Sequence, residues 1–248
     1  MTRVAGIVQA RMGSTRLPGK VLLPLGAWPV IACVLDRLSA SQRLDEIVVA
    51  MTENVEDDVL HDAVTSCGFA AVRGSAEDVL ARFEYAAKQA CADVVVRITA
   101  DCPLVDGTLL DRMLERFLAQ PGSDYMSNVM RRTYPRGLDL EIFTAEALFA
   151  AAASARQPYE REHVTPYIYQ HPAQFRLLSY ENPDGADYSS IRLTLDTPED
   201  YALLRRIYGA FAINRPRDLS VPAIVKMLEE RPELLALNAA VAQKTLGE

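Results

Sequence analysis

Four short apolar runs, at about 4–9, 46–51, 69–72 and 93–99, are separated by stretches in which apolar residues recur at helical spacing, roughly 29–40, 56–67 and 76–91, with another at 106–119. Apolar strands alternating with amphipathic helices are the pattern of βαβ units, and such units build a parallel sheet covered by helices. The expected fold class is therefore α/β, a mostly parallel central sheet flanked by helices. Half of the 248 residues are apolar, enough to bury one large core. A single domain over 1–248 is expected, with a first half over 1–120, a second over 121–210 and C-terminal helices over 211–248.

From Ser123 onward the segments shorten. Asp139, Glu141 and Phe143 alternate with Leu138, Leu140 and Ile142, which predicts a half-exposed strand in a more mixed sheet, followed by a helix over 144–155. Pro166 splits or kinks any helix over 158–170. Strands near 174–180 and 190–195 precede a helix with a clear start: Thr197 as N-cap, Pro198 at the first position, and Glu199 and Asp200 complementing the dipole. The tail from about 220 to 246 reads as two helices separated at Pro232.

Charge is segregated along the chain. The formal net charge is −7, yet Met1 to Leu35 contains Arg3, Arg11, Arg16 and Lys20 and no Asp or Glu. Three of those cations lie in the loop 10–20, directly after the first apolar run. Arg3 precedes that run and belongs at the opposite edge of the sheet. A glycine and two small hydroxyl residues, Gly13, Ser14 and Thr15, let backbone N–H groups approach an anion, while arginine forks and a lysine point charge supply charge-assisted bonds. The loop reads as a phosphate cradle. It is not a P-loop, since no Gly-Lys-[Ser/Thr] follows Gly13 at the required interval, and Gly13 and Gly19 do not form Gly-x-Gly-x-x-Gly. The acidic balance elsewhere disfavours nucleic acid as a partner and suits a small phosphorylated ligand. No apolar stretch reaches eighteen residues and no charged-then-apolar leader opens the chain, so no membrane partner and a cytoplasmic location are expected. Cys33, Cys67, Cys91 and Cys102 show no metal-ligand spacing and are expected as small buried hydrophobes.

Chemistry at a polyphosphate needs developing charge to be neutralised, commonly by magnesium held on carboxylates. Asp101 lies just past the C-terminal end of the 93–99 run, the edge at which open α/β sheets bind ligands, and Asp196 stands one residue before the Thr197 cap. Either could equally serve as a turn former. Cys102 has no partner base in the sequence to make it a nucleophile. His163 and His171 flank the Pro166 segment, where core or surface roles are the simpler reading.

The run Gln9-Ala10-Arg11-Met12-Gly13-Ser14-Thr15-Arg16-Leu17-Pro18-Gly19-Lys20-Val21-Leu22 resembles the N-terminal signature of the sugar cytidylyltransferases, the group of the CMP-Kdo and CMP-sialic acid synthetases, and is most similar to the spore-coat-polysaccharide branch. Further similarity runs through 73–80, 97–104, 136–141, 161–165 and 195–200, so that it spans about 3–208. The resemblance implies a nucleotide-diphospho-sugar transferase (Rossmann-like) fold with a mixed-strand dimerisation and acceptor region, CTP as donor, Mg2+, and a homodimer. It implies that Arg11 and Lys20 hold the triphosphate, with Ala10, Gly13, Ser14, Thr15 and Arg16 around them, that Arg73, Gly74 and Asp78 lie near the nucleotide, and that Asp101 and Asp196 are the metal ligands. Arg11, Lys20 and Asp101 would be the catalytic set. Arg136, Asp139, Glu141 and Arg161 are candidate contacts to a sugar-type acceptor, or salt-bridged residues of an ordinary surface. Ala100 and Ala27-Trp28 depart from the usual residues of this branch. The expected activity is transfer of CMP from CTP to an acidic sugar or related acceptor, with pyrophosphate released. A nucleotide-sugar glycosyltransferase would carry Asp-x-Asp, whereas Asp101-Cys102-Pro103 has one acid. A non-catalytic nucleotide-binding module is the other alternative.

Overall fold

In a computed structural model, which describes residues 2–243, four segments of the first half become the parallel core of a seven-stranded mixed sheet. The strands are β1 (Val4–Gln9), β4 (Glu46–Thr52), β5 (Ala70–Gly74), β6 (Val94–Thr99), β7 (Tyr125–Ser127), β8 (Glu141–Thr144) and β9 (Leu177–Ser179), ordered β5-β4-β1-β6-β8-β7-β9. β1 runs parallel to β4 and β6, and β4 to β5; β8 is antiparallel to both β6 and β7, and β9 returns parallel to β7. A small hairpin, β2 (Pro24–Leu25) and β3 (Trp28–Pro29), stands apart, with Trp28 half-buried against the core.

Helices α1 (Val30–Leu38), α2 (Asp58–Ser66), α3 (Val79–Gln89), α4 (Gly107–Leu118), α5 (Ala145–Ser154), α6 (Pro158–His163), α7 (Pro166–Gln170), α8 (Pro198–Ala210) and α9 (Val221–Glu230) cover the sheet. Alternation along β1 explains the two packing layers: Val4 and Val8 face one with α1, α4 and α8, while Ala5 and Ile7 face the other with α3 and α5. At the N-terminal edge Arg3 donates from its side chain to Glu46 and to the carbonyl of Ala90, and from its backbone N–H to the Asp93 carboxylate, which removes it from the ligand edge as expected.

Four expectations are corrected. The 190–195 segment is no strand: it makes one bridge, Arg136 to Arg192, because its backbone is stitched to loops instead, Leu193 N–H to Arg136 O at 2.7 Å and Leu195 N–H to Asp101 O at 2.8 Å. β8 is not half-exposed; Glu141 is 7% exposed and Phe143 fully buried. The second tail helix is a 3-10 turn over Pro232–Leu237, and residues 244–246 of that expectation lie outside the described residues. Of the cysteines, Cys33 and Cys102 are buried but Cys67 and Cys91 are exposed. The α8 start is as read, with a reciprocal Thr197–Asp200 capping box.

Candidate active site

The loop 10–20 leaves the C-terminal end of β1 and is pinned by a residue the sequence reading passed over. Asp57 is completely buried; its carboxylate accepts from the Met12 N–H at 2.6 Å and from the Thr52 N–H and hydroxyl at 2.9 and 2.5 Å. The loop then closes on itself through Gly19 N–H to Met12 O, and Gly19 at φ +68° occupies the left-handed region that lets the chain enter the short helix at Lys20. Nothing in the run Val55-Glu56-Asp57-Asp58 distinguishes Asp57 from its exposed neighbours; only the packing of the loop does.

An open cleft of about 610 Å³ follows. Ala10, Arg11, Gly13, Ser14, Thr15, Arg16 and Lys20 line it, and Asp101, Asp196, Arg136 and Asp139 stand opposite. At its floor Lys20 Nζ donates to Asp101 Oδ2 at 2.8 Å, Asp196 Oδ1 at 2.9 Å and the Leu195 carbonyl at 2.8 Å. Its three N–H groups are thus fully used. Asp196 Oδ2 meets Arg192 at 2.9 Å and Arg16 at 3.1 Å, and Arg192 is itself held by the buried Asp200. Burial works against the charged form of Asp101, but the adjacent Lys20 ammonium outweighs it and holds the carboxyl below its ordinary range. Lys20 moves the opposite way: burial opposes its charge, and the two aspartates together raise it. Burial, reinforced by Asp101, pushes the Cys102 thiol well up, which keeps it neutral and unsuited to nucleophilic attack.

A second cavity of about 550 Å³ adjoins the first, and Arg97, Thr99, Asp139 and His163 line both. Each volume is of the size that holds one small ligand. The second floor is built on Glu141, which accepts from Tyr125 Oη at 2.6 Å, Thr165 Oγ1 at 2.5 Å and Arg97 Nη1. Val129, Met130 and Tyr169 add an apolar wall. Thr165 is delivered by a tight turn: Val164 sits at φ 72°, ψ −55°, and Thr165 N–H bonds His163 O at 2.9 Å, a classic γ-turn that a β-branched residue adopts only under strain. His163 leaves this turn into the shared wall, and burial pushes its imidazole below the ordinary value, so that it is neutral near pH 7.

Four of the residues singled out from the sequence lie outside the lining of either cavity. Arg73 donates to the Thr52 and Asn54 carbonyls and to Asp58, which braces the loop after β4, and Gly74 ends β5 beside Arg82. Asp78 caps α3 through the Ala81 N–H and receives both Arg161 Nε and Nη2, at 2.9 and 2.6 Å, so that this pair ties α3 to α6. Asp139 is paired bidentately with Arg132 at 2.5 and 2.9 Å. Arg136 and Arg11, by contrast, carry no side-chain hydrogen bond or ion pair among the described residues.

Asp101 and Asp196 offer hard oxygen ligands, yet among the described residues no three His, Cys, Asp or Glu side chains converge as a metal cage. Two carboxylates beside a polyphosphate cleft suit magnesium, which takes one or two protein carboxylates and completes its shell with phosphate and water.

The chain is 37% identical over 94% of its length to the spore coat polysaccharide biosynthesis protein SpsF of Bacillus subtilis, of which it covers 97%. A solved cytidylyltransferase from Leptospira borgpetersenii superposes with a TM-score of 0.91 at 36% identity, covering 98% of this chain and all of that one. A CMP:2-keto-3-deoxy-manno-octonic acid synthetase solved with CTP shares the fold, with a TM-score of 0.67 at 18% identity over 84% of this chain and 99% of that one. The family model described as Cytidylyltransferase matches residues 5–232. With the loop after β1, the acids after β6 and before α8, and the mixed sheet between them in place, this chain belongs to the cytidylyltransferase family.

Proposed function

We propose that the enzyme transfers CMP from CTP to an oxygen of an acidic sugar or related acceptor and releases pyrophosphate. The observation that carries this reading is the joining of the two cavities at Arg97, Thr99, Asp139 and His163, with the cation-rich loop on one side of the joint and the buried Glu141 network as the floor of the other. The triphosphate lies along residues 10–20, where Arg11 and Lys20 draw charge from the departing pyrophosphate. Asp101 and Asp196 would hold Mg2+, which would supply positive charge to offset the charge that develops on the phosphates. Arg136, unpaired and half-buried in the cleft, is the cation left for the anionic group of the acceptor. Such transfer needs little covalent help, so positioning and charge stabilisation supply most of the rate. The family likeness supports a homodimer acting in the cytoplasm in surface-polysaccharide synthesis.

The test is pyrophosphate release from CTP with a panel of keto sugar acids, sugar phosphates and phosphonates, with and without Mg2+. Release that requires CTP, the metal and one acceptor class is expected. Tight CTP binding with no release across the panel would point to a binding module, and transfer from a preformed nucleotide sugar to a glycosyltransferase.

A further inference from the structure

Lys20 stands between the two carboxylates that the proposed function assigns to the metal, and its contacts there are complete: three N–H donors on three acceptors, all within 2.9 Å. The charges around it also close. Asp101 and Asp196 contribute two negative charges, and Lys20 and Arg16 two positive ones; the Arg192–Asp200 ion pair behind Asp196 adds none. A free dication reaching this floor meets no net negative charge and an ammonium already between its ligands. Electrostatic work of this kind is large, because a unit charge about 4 Å away in a partly buried site is worth about 4 kcal/mol at an effective dielectric of 20.

A triphosphate changes that balance. It brings more negative charge than its own cation neutralises, and the loop that binds it carries Lys20 and Arg16. Their ammonium and guanidinium groups then have phosphate oxygens as partners within the same cleft, and the two aspartates are released. Arg11, whose side chain has no partner among the described residues, can bind phosphate without breaking any of the contacts described.

We propose that Lys20 is an internal counter-ion that keeps free divalent cations off Asp101 and Asp196, so that the metal site opens only when a triphosphate draws Lys20 away. The inference rests on the nucleotidyl-transfer reading for the identity of the ligand, but the exclusion of free metal can be read without it. Lys20 thus has two partners in sequence: the aspartates first, the phosphates second. The order of assembly follows, with the metal and nucleotide entering together and neither carboxylate holding metal beforehand.

The test uses the full-length protein and free Mn2+, followed by the loss of its electron paramagnetic resonance signal on binding. Without nucleotide, the wild type is expected to take up little Mn2+ at concentrations where Lys20→Gln binds it at least about tenfold more tightly. Arg16→Gln, a milder removal of charge at a half-exposed side chain, is expected to gain in the same direction and covers the case in which Lys20→Gln does not fold. Adding Asp196→Asn to the Lys20→Gln chain should abolish the gain and so locate it. With each protein saturated with CTP, wild type should bind Mn2+ as tightly as Lys20→Gln, beyond what CTP alone takes up. Wild type that binds Mn2+ as tightly as both variants without nucleotide overturns the counter-ion role. A gain that survives while CTP fails to recruit Mn2+ to the wild type overturns the nucleotidyl-transfer reading instead.

Discussion

Arg97 and Asp101 lie four residues apart at the end of β6, and the two ends of the site that they serve hold their charges in opposite ways. Around Asp101 and Asp196 the ion pairs to Lys20 and Arg16 come from the loop 10–20 in an open cleft, so these pairs can be traded for phosphate, while Arg192 behind Asp196 stays on Asp200. Around Arg97 the carboxylate partner is Glu141 on β8, which in turn accepts from Tyr125 on β7 and Thr165 after the γ-turn, all three buried, and Gln9 on β1 accepts from the second Arg97 nitrogen at 3.2 Å. Such a closed network is costly to open, since a charge stripped of its partner inside a sheet has no water to replace it. The loop end is built to exchange ions; the Glu141 end is built to stay as it is.

That contrast can be broken most directly at Glu141. Glu141→Ala takes the carboxylate from Arg97, leaving it only the Gln9 contact, and strips Tyr125 and Thr165 of their acceptor; it is expected to cost about 3–5 kcal/mol of stability in urea unfolding while CTP affinity in the surviving folded fraction is little altered. A small stability loss with a large loss of CTP affinity would place Glu141 on the exchangeable side. At the other end, Asp101→Asn is expected to lower turnover by about 10²–10³ while destabilising the fold less than Glu141→Ala does. Full turnover in a folded Asp101→Asn protein would remove the carboxylate from the chemistry.

Asp57 tests whether the loop itself is rigidly held. Asp57→Ala strands the Met12 and Thr52 N–H groups, and a cost of about 1–3 kcal/mol is expected, seen both in unfolding and as weaker CTP binding by calorimetry. Loss of stability with unchanged CTP affinity would show that the cradle forms without its pin. The smallest effect is in pH. Because the folded-state value of Asp101 lies below its ordinary 3.8, its contribution to stability is present above that pH and is lost as pH falls through the lower folded value. In Lys20→Gln the main influence holding it down is removed while burial remains, so the acid unfolding limb should move to higher pH, read by fluorescence from pH 6 to 2.

The legible parts of this molecule were those decided within a few residues of sequence. The β1 run, the cationic loop after it and the Thr197–Asp200 cap depend on neighbours in the chain, and each stands where the pattern put it. The 190–195 segment has the same apolar alternation as a strand, but its hydrogen bonds go to Asp101 and Arg136 rather than to a ladder, a matter of what lies beside it and not of its own residues. Glu141 looked like an exposed acid on a half-buried strand for the same reason: its three donors come from β6, β7 and the turn before α7, none adjacent in sequence. Arg73, Asp78 and Arg161 have residue types suited to ligands, and the fold spends them on its own loops and helices.

One small residue sets the scale of the whole arrangement. Gly137 lies at φ +103°, and a Cβ there would stand 2.5 Å from the Leu193 carbonyl carbon and 2.6 Å from the Thr194 nitrogen. The segment carrying Asp139 therefore rests backbone on backbone against the segment that leads to Asp196, with no side chain between them as a spacer. Replacing side chains of the second cavity can recut its shape, but the spacing between the two segments is machined into the main chain. An engineer can reshape that cavity at Val129, Met130 and Tyr169; one who touches Gly137 changes the ruler.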